Sequence, residues 1–221
     1  MTKTVLDKGF VSLVDSMGSD LSVVNSARVS FGKKKDAFDD KDKRLIKYLW
    51  KNKHTSPFRH ASMQFHIKAP IFVLRQWMKH QVGCSWNEIS GRYVEFASEF
   101  YHPKIYRKQS KSNKQGSEGA VSKQEDASII YNTSMLYAMR DYQRLLELGV
   151  CKEQARLVLP VSLYSECYWT CSLQAVMHFL ALRCDHHAQW EIREYATAVK
   201  ELIEPLFPHT LELFSGDSDE L

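Results

Sequence analysis

The chain has 221 residues, of which 44% are hydrophobic and 25% charged, with a formal net charge of +4 at pH 7. This balance excludes a disordered tail and describes a folded protein long enough for one large domain or two small ones. The positive charge is mild and not gathered into Lys/Arg blocks. It suits anionic small molecules and argues against a nucleic-acid-binding arm.

No stretch approaches the roughly eighteen apolar residues of a membrane-spanning helix. The opening MTKTVLDKGF lacks the apolar centre of a signal peptide, so a cytoplasmic location away from membranes is expected. Cys84, Cys151, Cys167, Cys171 and Cys184 are odd in number and scattered, as befits reduced thiols.

Along the chain, VSLVDSMG (11–18) reads as a strand and KDKRLIKYLWKN (41–52) as an amphipathic helix. In ASMQFHIK (61–68), Met63, Phe65 and Ile67 alternate with Gln64, His66 and Lys68, the period of a half-buried strand. APIFVLRQWMKHQ (69–81) opens with Pro70 and has helical spacing, which predicts a helix ending near Gln81; SGRYVEF (90–96) then reads as a strand. The polar, Ser/Lys/Gln-rich segment 107–128 is expected to be a solvated loop inserted into a single domain spanning 1–221. A long helix over 125–148 carries Ile129, Ile130, Met135, Leu136, Met139, Tyr142, Leu145 and Leu146 on one broad stripe, with Gly149 as its left-handed cap. LYSECYWTCS (163–172) fits strand or helix, LQAVMHFLALR (173–183) is helical, and HAQWEIREYATAVKELIE (187–204) is an amphipathic helix stopping near Pro205. An acidic tail over 215–221 should be loose. The fold class is α+β: a mixed sheet with long flanking helices.

Chemistry gathers in WMKHQVGCSWNEISGRYVEF (77–96), at the junction of a helix and the next element. Arg75 and Arg92 could grip a phosphate in bidentate fashion, and Asn87 and Glu88 could read a base edge. The plainer alternative is a histidine complementing a helix dipole, followed by ordinary turn chemistry.

RQWMKHQ (75–81) with NEISGRY (87–93) resembles the signature of the flavin-dependent thymidylate synthases. That signature is an Arg-His-Arg triplet followed, after seven or eight residues, by a serine. Here the triplet is Lys79-His80-Gln81, and eight residues separate Gln81 from Ser90. Segments 6–31, 54–60, 65–77, 155–160, 163–170 and 182–196 also resemble family segments, in family order.

The resemblance implies an enzyme that reductively methylates dUMP to dTMP. Methylenetetrahydrofolate would be the one-carbon donor, FAD the redox cofactor and NADPH the reductant, in a homotetramer with shared active sites. It implies that Gln76, Glu88, Ser90, Gly91, Arg92, Arg156 and Arg183 bind dUMP. It implies further that Ser30, His54, Ser56, Lys79, His80, Gln81, Val82, Ser172, Gln174, His178 and His187 contact FAD, with Arg183, Ser90 and His54 at the chemistry. Ser90 lacks a partnered base and reads better as a binding group than as a nucleophile; nothing near Cys84 marks it as activated either. A Cys184-x2-His187 zinc pair has no second pair to complete it, so no metal is expected.

The departures cluster on the flavin side. Lys79 and Gln81 replace two arginines, Gln174 replaces a third, and Arg59 stands at an acidic family position. Intact dUMP recognition with weakened flavin binding is the resulting expectation. The alternatives are a different C5 modification such as hydroxymethylation, dCMP as the substrate, or a non-catalytic nucleotide-binding homologue.

Overall fold

Alternation builds the sheet first. In the computed structural model, which describes residues 1–214, the strands are β1 (Thr2–Val5), β2 (Gly9–Met17), β3 (Ser62–Pro70), β4 (Cys84–Glu88), β5 (Arg107–Gln109), β6 (Ser117–Ala120) and β7 (Tyr164–Ser172). The helices are α1 (Asp20–Arg28), α2 (Asp40–Lys51), α3 (Ile71–Trp77), α4 (Gln124–Glu147), α5 (Lys152–Ala155), α6 (Leu173–Arg183), α7 (Trp190–Ile203) and α8 (Pro208–Leu211). Five strands form one sheet in the order β1-β2-β3-β7-β4, while β5 and β6 make a separate hairpin. The fold is α+β, as expected, but all the sheet's pairings are antiparallel rather than mixed. The reason lies in the connections: α1 and α2 return the chain to the end of β2, where Met17 faces Ser62, so β3 must run back against it.

Met63, Phe65 and Ile67 are fully buried on the face covered by α6 and α7. Gln64, His66 and Lys68 lie on the opposite, half-open face, where His66 contacts Glu166 at 3.0 Å and Lys68 reaches Glu99 at 2.6 Å. The core is densest beneath the end of α3. Trp77 stacks on Phe179 of α6 at 4.7 Å and meets Trp169 of β7 edge-on at 5.3 Å, and Trp169 stacks on Trp86 of β4 at 5.4 Å. These four rings lock α3, α6, β4 and β7 together.

Three elements differ from the sequence expectation. The helix opened by Pro70 ends at Trp77 rather than Gln81, because His80 N–H turns back to the Trp77 carbonyl and Gly83 (φ +74°) reverses the chain. SGRYVEF is a turn and not a strand, since pairing with β7 stops at Glu88 and the Tyr93 N–H closes onto Ser90. Only part of the α4 stripe is buried: Met135, Met139 and Tyr142 pack on Phe100, Ala155 and Leu163 in a second small core. Ile129, Ile130 and Leu136 remain 58%, 67% and 68% exposed, an apolar face with no cover inside this chain.

The 107–128 segment is ordered at its start as the β5–β6 hairpin, and α4 already begins at Gln124 within it. The tail over 215–221 lies outside the described residues. Among those described, no helix is long and apolar enough to cross a membrane.

Phe179→Ala removes a ring packed on Trp77, Trp169 and His80, and should lower unfolding stability in urea by about 3–5 kcal/mol. A loss under 1 kcal/mol would mean that this aromatic cluster does not hold α3 to α6.

Candidate functional site

The turn 79–83 lands on the N-terminus of α6. Ser172 caps that helix, its Oγ accepting from the Ala175 N–H at 3.2 Å, and its own N–H donates to the Gly83 carbonyl at 3.0 Å. A side chain at Gly83 would sit 2.8 Å from that hydroxyl, so the close approach and the positive φ both require glycine. The Leu173 N–H meets the Ala61 carbonyl at 2.9 Å, which brings in the 3-10 turn Ser56–Arg59 that packs on α6. His178, on the same helix, meets Trp50 edge-on at 6.1 Å, and Trp50 in turn packs on Phe58. Ser56, Ser172, Gln174 and His178 therefore share one rim with Lys79, Gln81 and the 89%-exposed Val82. His54 precedes that turn at the end of α2. Ser30 is exposed in the turn Val29–Phe31, and no hydrogen bond joins it to the others among the described residues. His187 is held by Asp185 instead, through both its backbone N–H and its ring.

His80 points the other way, into the protein. Its ring sits edge-on to Phe179 at 5.2 Å, and its Nε2 accepts from Arg183 Nε at 3.1 Å. An accepting Nε2 requires the neutral imidazole with its proton on Nδ1. Burial, and then the charges of Arg183 and His178, push the His80 pKa down to about 4. Burial also lowers the Arg183 pKa. A fixed cation thus stands at the end of α6, aimed by a ring that stays uncharged at neutral pH.

The second cluster forms where β4 ends. Glu88 accepts from Ser165 at 2.6 Å, the Arg92 N–H turns to Ser90 Oγ at 3.3 Å, and Gly91 is buried. A Cβ on Gly91 would lie 2.2 Å from the Phe96 ring and 3.2 Å from the Arg156 chain, so only glycine allows this packing. Arg92 pairs with Glu153 at 2.9 Å, while Arg156 Nε donates to the Glu153 carbonyl at 3.3 Å. The Arg92–Glu153 pair is more than half exposed on both sides, and such pairs are worth at most about 1 kcal/mol. A dianionic phosphate between the two guanidiniums would outcompete that carboxylate.

The dUMP positions implied by the resemblance are thus split. Arg183 meets His80 and Gln76 meets Gln189, whereas Glu88, Ser90, Gly91, Arg92 and Arg156 stand at the far end of β4. Ser90 has no base within hydrogen-bonding reach among the described residues, in keeping with a binding role. Burial pushes the Cys84 thiol up, the opposite of activation. Glu153 and Gln189 were not anticipated; Gln189 accepts from Gln76 at 2.6 Å. No local pattern marks either one, because both contacts are long-range.

The α+β fold thus carries arginines over a glycine turn at the end of β4, a capped N-terminus on α6 and a His–Arg pair at that helix's other end. The sequence model of the family described as "Thymidylate synthase complementing protein" matches residues 12–209. The chain is 49% identical over 208 residues to a flavin-dependent thymidylate synthase of Thermus thermophilus, covering 94% of this chain and 76% of that one. A second, from Thermosipho melanesiensis, is 47% identical over 213 residues, covering 95% and 92%. The solved UMP/dUMP methylase PolB of Streptomyces cacaoi, bound with 5-Br dUMP, superposes with a TM-score of 0.86 at 37% identity, covering 96% of this chain and 97% of that one. The chain belongs to the flavin-dependent thymidylate synthase family.

Because the folded His80 pKa lies below its unfolded value near 6.5, the native state resists a proton that the unfolded chain accepts. Stability should be unaffected by this group above pH 6.5 and should fall as the pH drops from 6.5 toward 4. His80→Gln should flatten that slope. NMR titration of His80 with a midpoint near 6.5 would contradict the buried, accepting ring.

Proposed function

We propose that the protein is a flavin-dependent thymidylate synthase that methylates dUMP to dTMP. Methylenetetrahydrofolate donates the carbon and NADPH serves as reductant. The observation that carries this reading is the pair of anion-binding clusters, with arginines kept at both, on a chain nearly half identical to enzymes of that name. The protein works away from membranes, in the cytoplasm.

The flavin fits the rim described above. Ser56, Ser172 and Gln174 offer hydrogen-bonding groups at a helix N-terminus, where a pyrophosphate is favoured, and Lys79 adds charge. Bound FAD supplies the hydride chemistry. The chain's own residues do the rest. Arg92 and Arg156 neutralise the nucleotide phosphate, and Ser90 and the 88–92 turn fix its register. Arg183, held by neutral His80, presses a cation against the uracil carbonyl side and so favours attack on the ring. His54 and His187 complete the flavin contacts. Arg59, whose only hydrogen bond among the described residues is a 3.4 Å contact to Thr55, restores some of the charge missing at Gln81 and Gln174.

In the homotetramer the two clusters come from different copies of the chain and serve one substrate. Ile89, Tyr93, Leu157 and Val161 are 43%, 75%, 79% and 50% exposed around the nucleotide turn, and with the open face of α4 they supply the apolar surface such an assembly needs. UMP as an additional substrate is a second reading, favoured by the solved relative, which is a UMP/dUMP methylase.

Mass spectrometry of products formed with dUMP, methylenetetrahydrofolate, NADPH and FAD should show dTMP, and Arg183→Ala should slow its formation by about 100-fold. A hydroxymethylated product, or binding without turnover, would refute the assignment; methylation of UMP in the same assay would establish the second reading. The Lys79→Arg/Gln81→Arg double variant should bind FAD about tenfold more tightly, as charge-assisted hydrogen bonds replace weaker ones. Unchanged affinity would show that the variant triplet is neutral for flavin binding.

A further inference from the structure

The β5–β6 hairpin roofs a cavity of about 670 Å³ against the start of α7, within the range of small-molecule sites. The roof is fastened. Arg107 Nη2 donates to both carboxylate oxygens of Glu191 at 2.8 and 3.0 Å, its Nε donates to Ser117 Oγ at 2.8 Å, and its guanidinium lies 5.7 Å over the Trp190 ring. Gln109 draws the hairpin's own carbonyls together, donating to Lys114 at 3.0 Å and to Gly116 at 2.9 Å.

The lining has a marked sign. Lys104, Arg107 and Arg193 line it together with His186 and His187, and no aspartate or glutamate does. Buried Glu191 balances Arg107 alone. Lys104 has no carboxylate partner among the described residues, and Arg193 donates only to the His186 carbonyl, at 3.1 Å. Two cations are therefore left uncompensated toward a cavity whose other wall offers Ser110, Asn113 and Ser117. A pocket of this kind selects clustered negative charge.

Its inner end meets the proposed active site. Glu191, which holds the roof, accepts from Gln189 at 2.9 Å, and Gln189 accepts from Gln76 on α3 at 2.6 Å. A ligand anchored here by one end would extend its other end toward Gln76 and the turn 79–83.

We propose that this cavity binds the polyanionic end of a cosubstrate, holding it while the reactive end enters the active site. The inference rests on the methylation reading above. Two sources share the required chemistry: the extra ribose phosphate of a reduced pyridine nucleotide, and a chain of linked glutamates on a folate.

The test compares matched ligands by calorimetry on the full chain: NADPH against NADH, and triglutamyl against monoglutamyl tetrahydrofolate. In at least one pair, the more charged ligand should bind about tenfold more tightly, a preference that weakens with added salt. Lys104→Ala/Arg193→Ala should abolish that preference and leave dUMP affinity within twofold, whereas Lys104→Arg/Arg193→Lys should retain it. The pair that responds identifies the source. Equal binding within both pairs, or a preference that survives in the alanine variant, would overturn the proposal. Methylation by the unaltered chain is measured separately. Turnover without a charge preference sinks the cavity assignment alone, while a preference erased by the variant without turnover sinks only the reaction.

Discussion

β4 is five residues long, and that length constrains everything around it. An extended strand of this size spans roughly 15 Å. At its start, the turn 79–83 is pinned to α6; at its end, the turn 88–92 is pinned to β7 and to Arg156. Pairing along β7, from Cys84 opposite Cys171 to Glu88 opposite Cys167, prevents the strand from folding back on itself. The dUMP residues proposed above therefore divide between the two ends of this strand. In the shared site we propose, the substrate sits between chains, beside the exposed apolar residues of the 88–92 turn and of α4.

The flavin side rests on aromatic packing more than on charge. Trp77, Trp169 and Phe179 fix the height of His80 above the core, and neutral His80 fixes Arg183. Because that ring is an acceptor, its hold on Arg183 depends on neither Lys79 nor Gln81 beside it. The 88–92 turn has less tolerance: Gly91 is wedged against Phe96 and Arg156, and while Arg92 pairs with the Glu153 carboxylate, Arg156 donates to that residue's backbone carbonyl.

Much of this was legible in sequence because it is periodic or carried by motifs. The alternation in 61–68 marked the buried face of β3, and the spacing in 173–183 and 187–204 marked the helices that cover it. The motif residues named the chemistry. What sequence could not show was the third dimension. SGRYVEF has the composition of a strand, yet the buried glycine makes it a turn. The α4 stripe is a true helical stripe, but Ile129, Ile130 and Leu136 stay exposed while Met135, Met139, Tyr142, Leu145 and Leu146 pack on the second core. The polar composition of 107–128 suggested a solvated loop, because the ion pair that fastens the hairpin to α7, Arg107 with Glu191, joins residues 84 positions apart. The division of the site between the ends of β4 is likewise invisible in a motif that runs continuously from Lys79 to Arg92.

The central claim is that each complete site draws its phosphate arginines and its Arg183 from different copies of the chain. It is tested most directly by mixing two inactive variants, Arg92→Ala and Arg183→Ala, unfolding and refolding them together, and assaying dTMP formation. With sites shared between chains, random assembly leaves about a quarter of them with both arginines intact, so activity near that fraction of the unaltered protein should return. Activity that stays at the level of the separate variants would contradict the account and place the whole site within one chain.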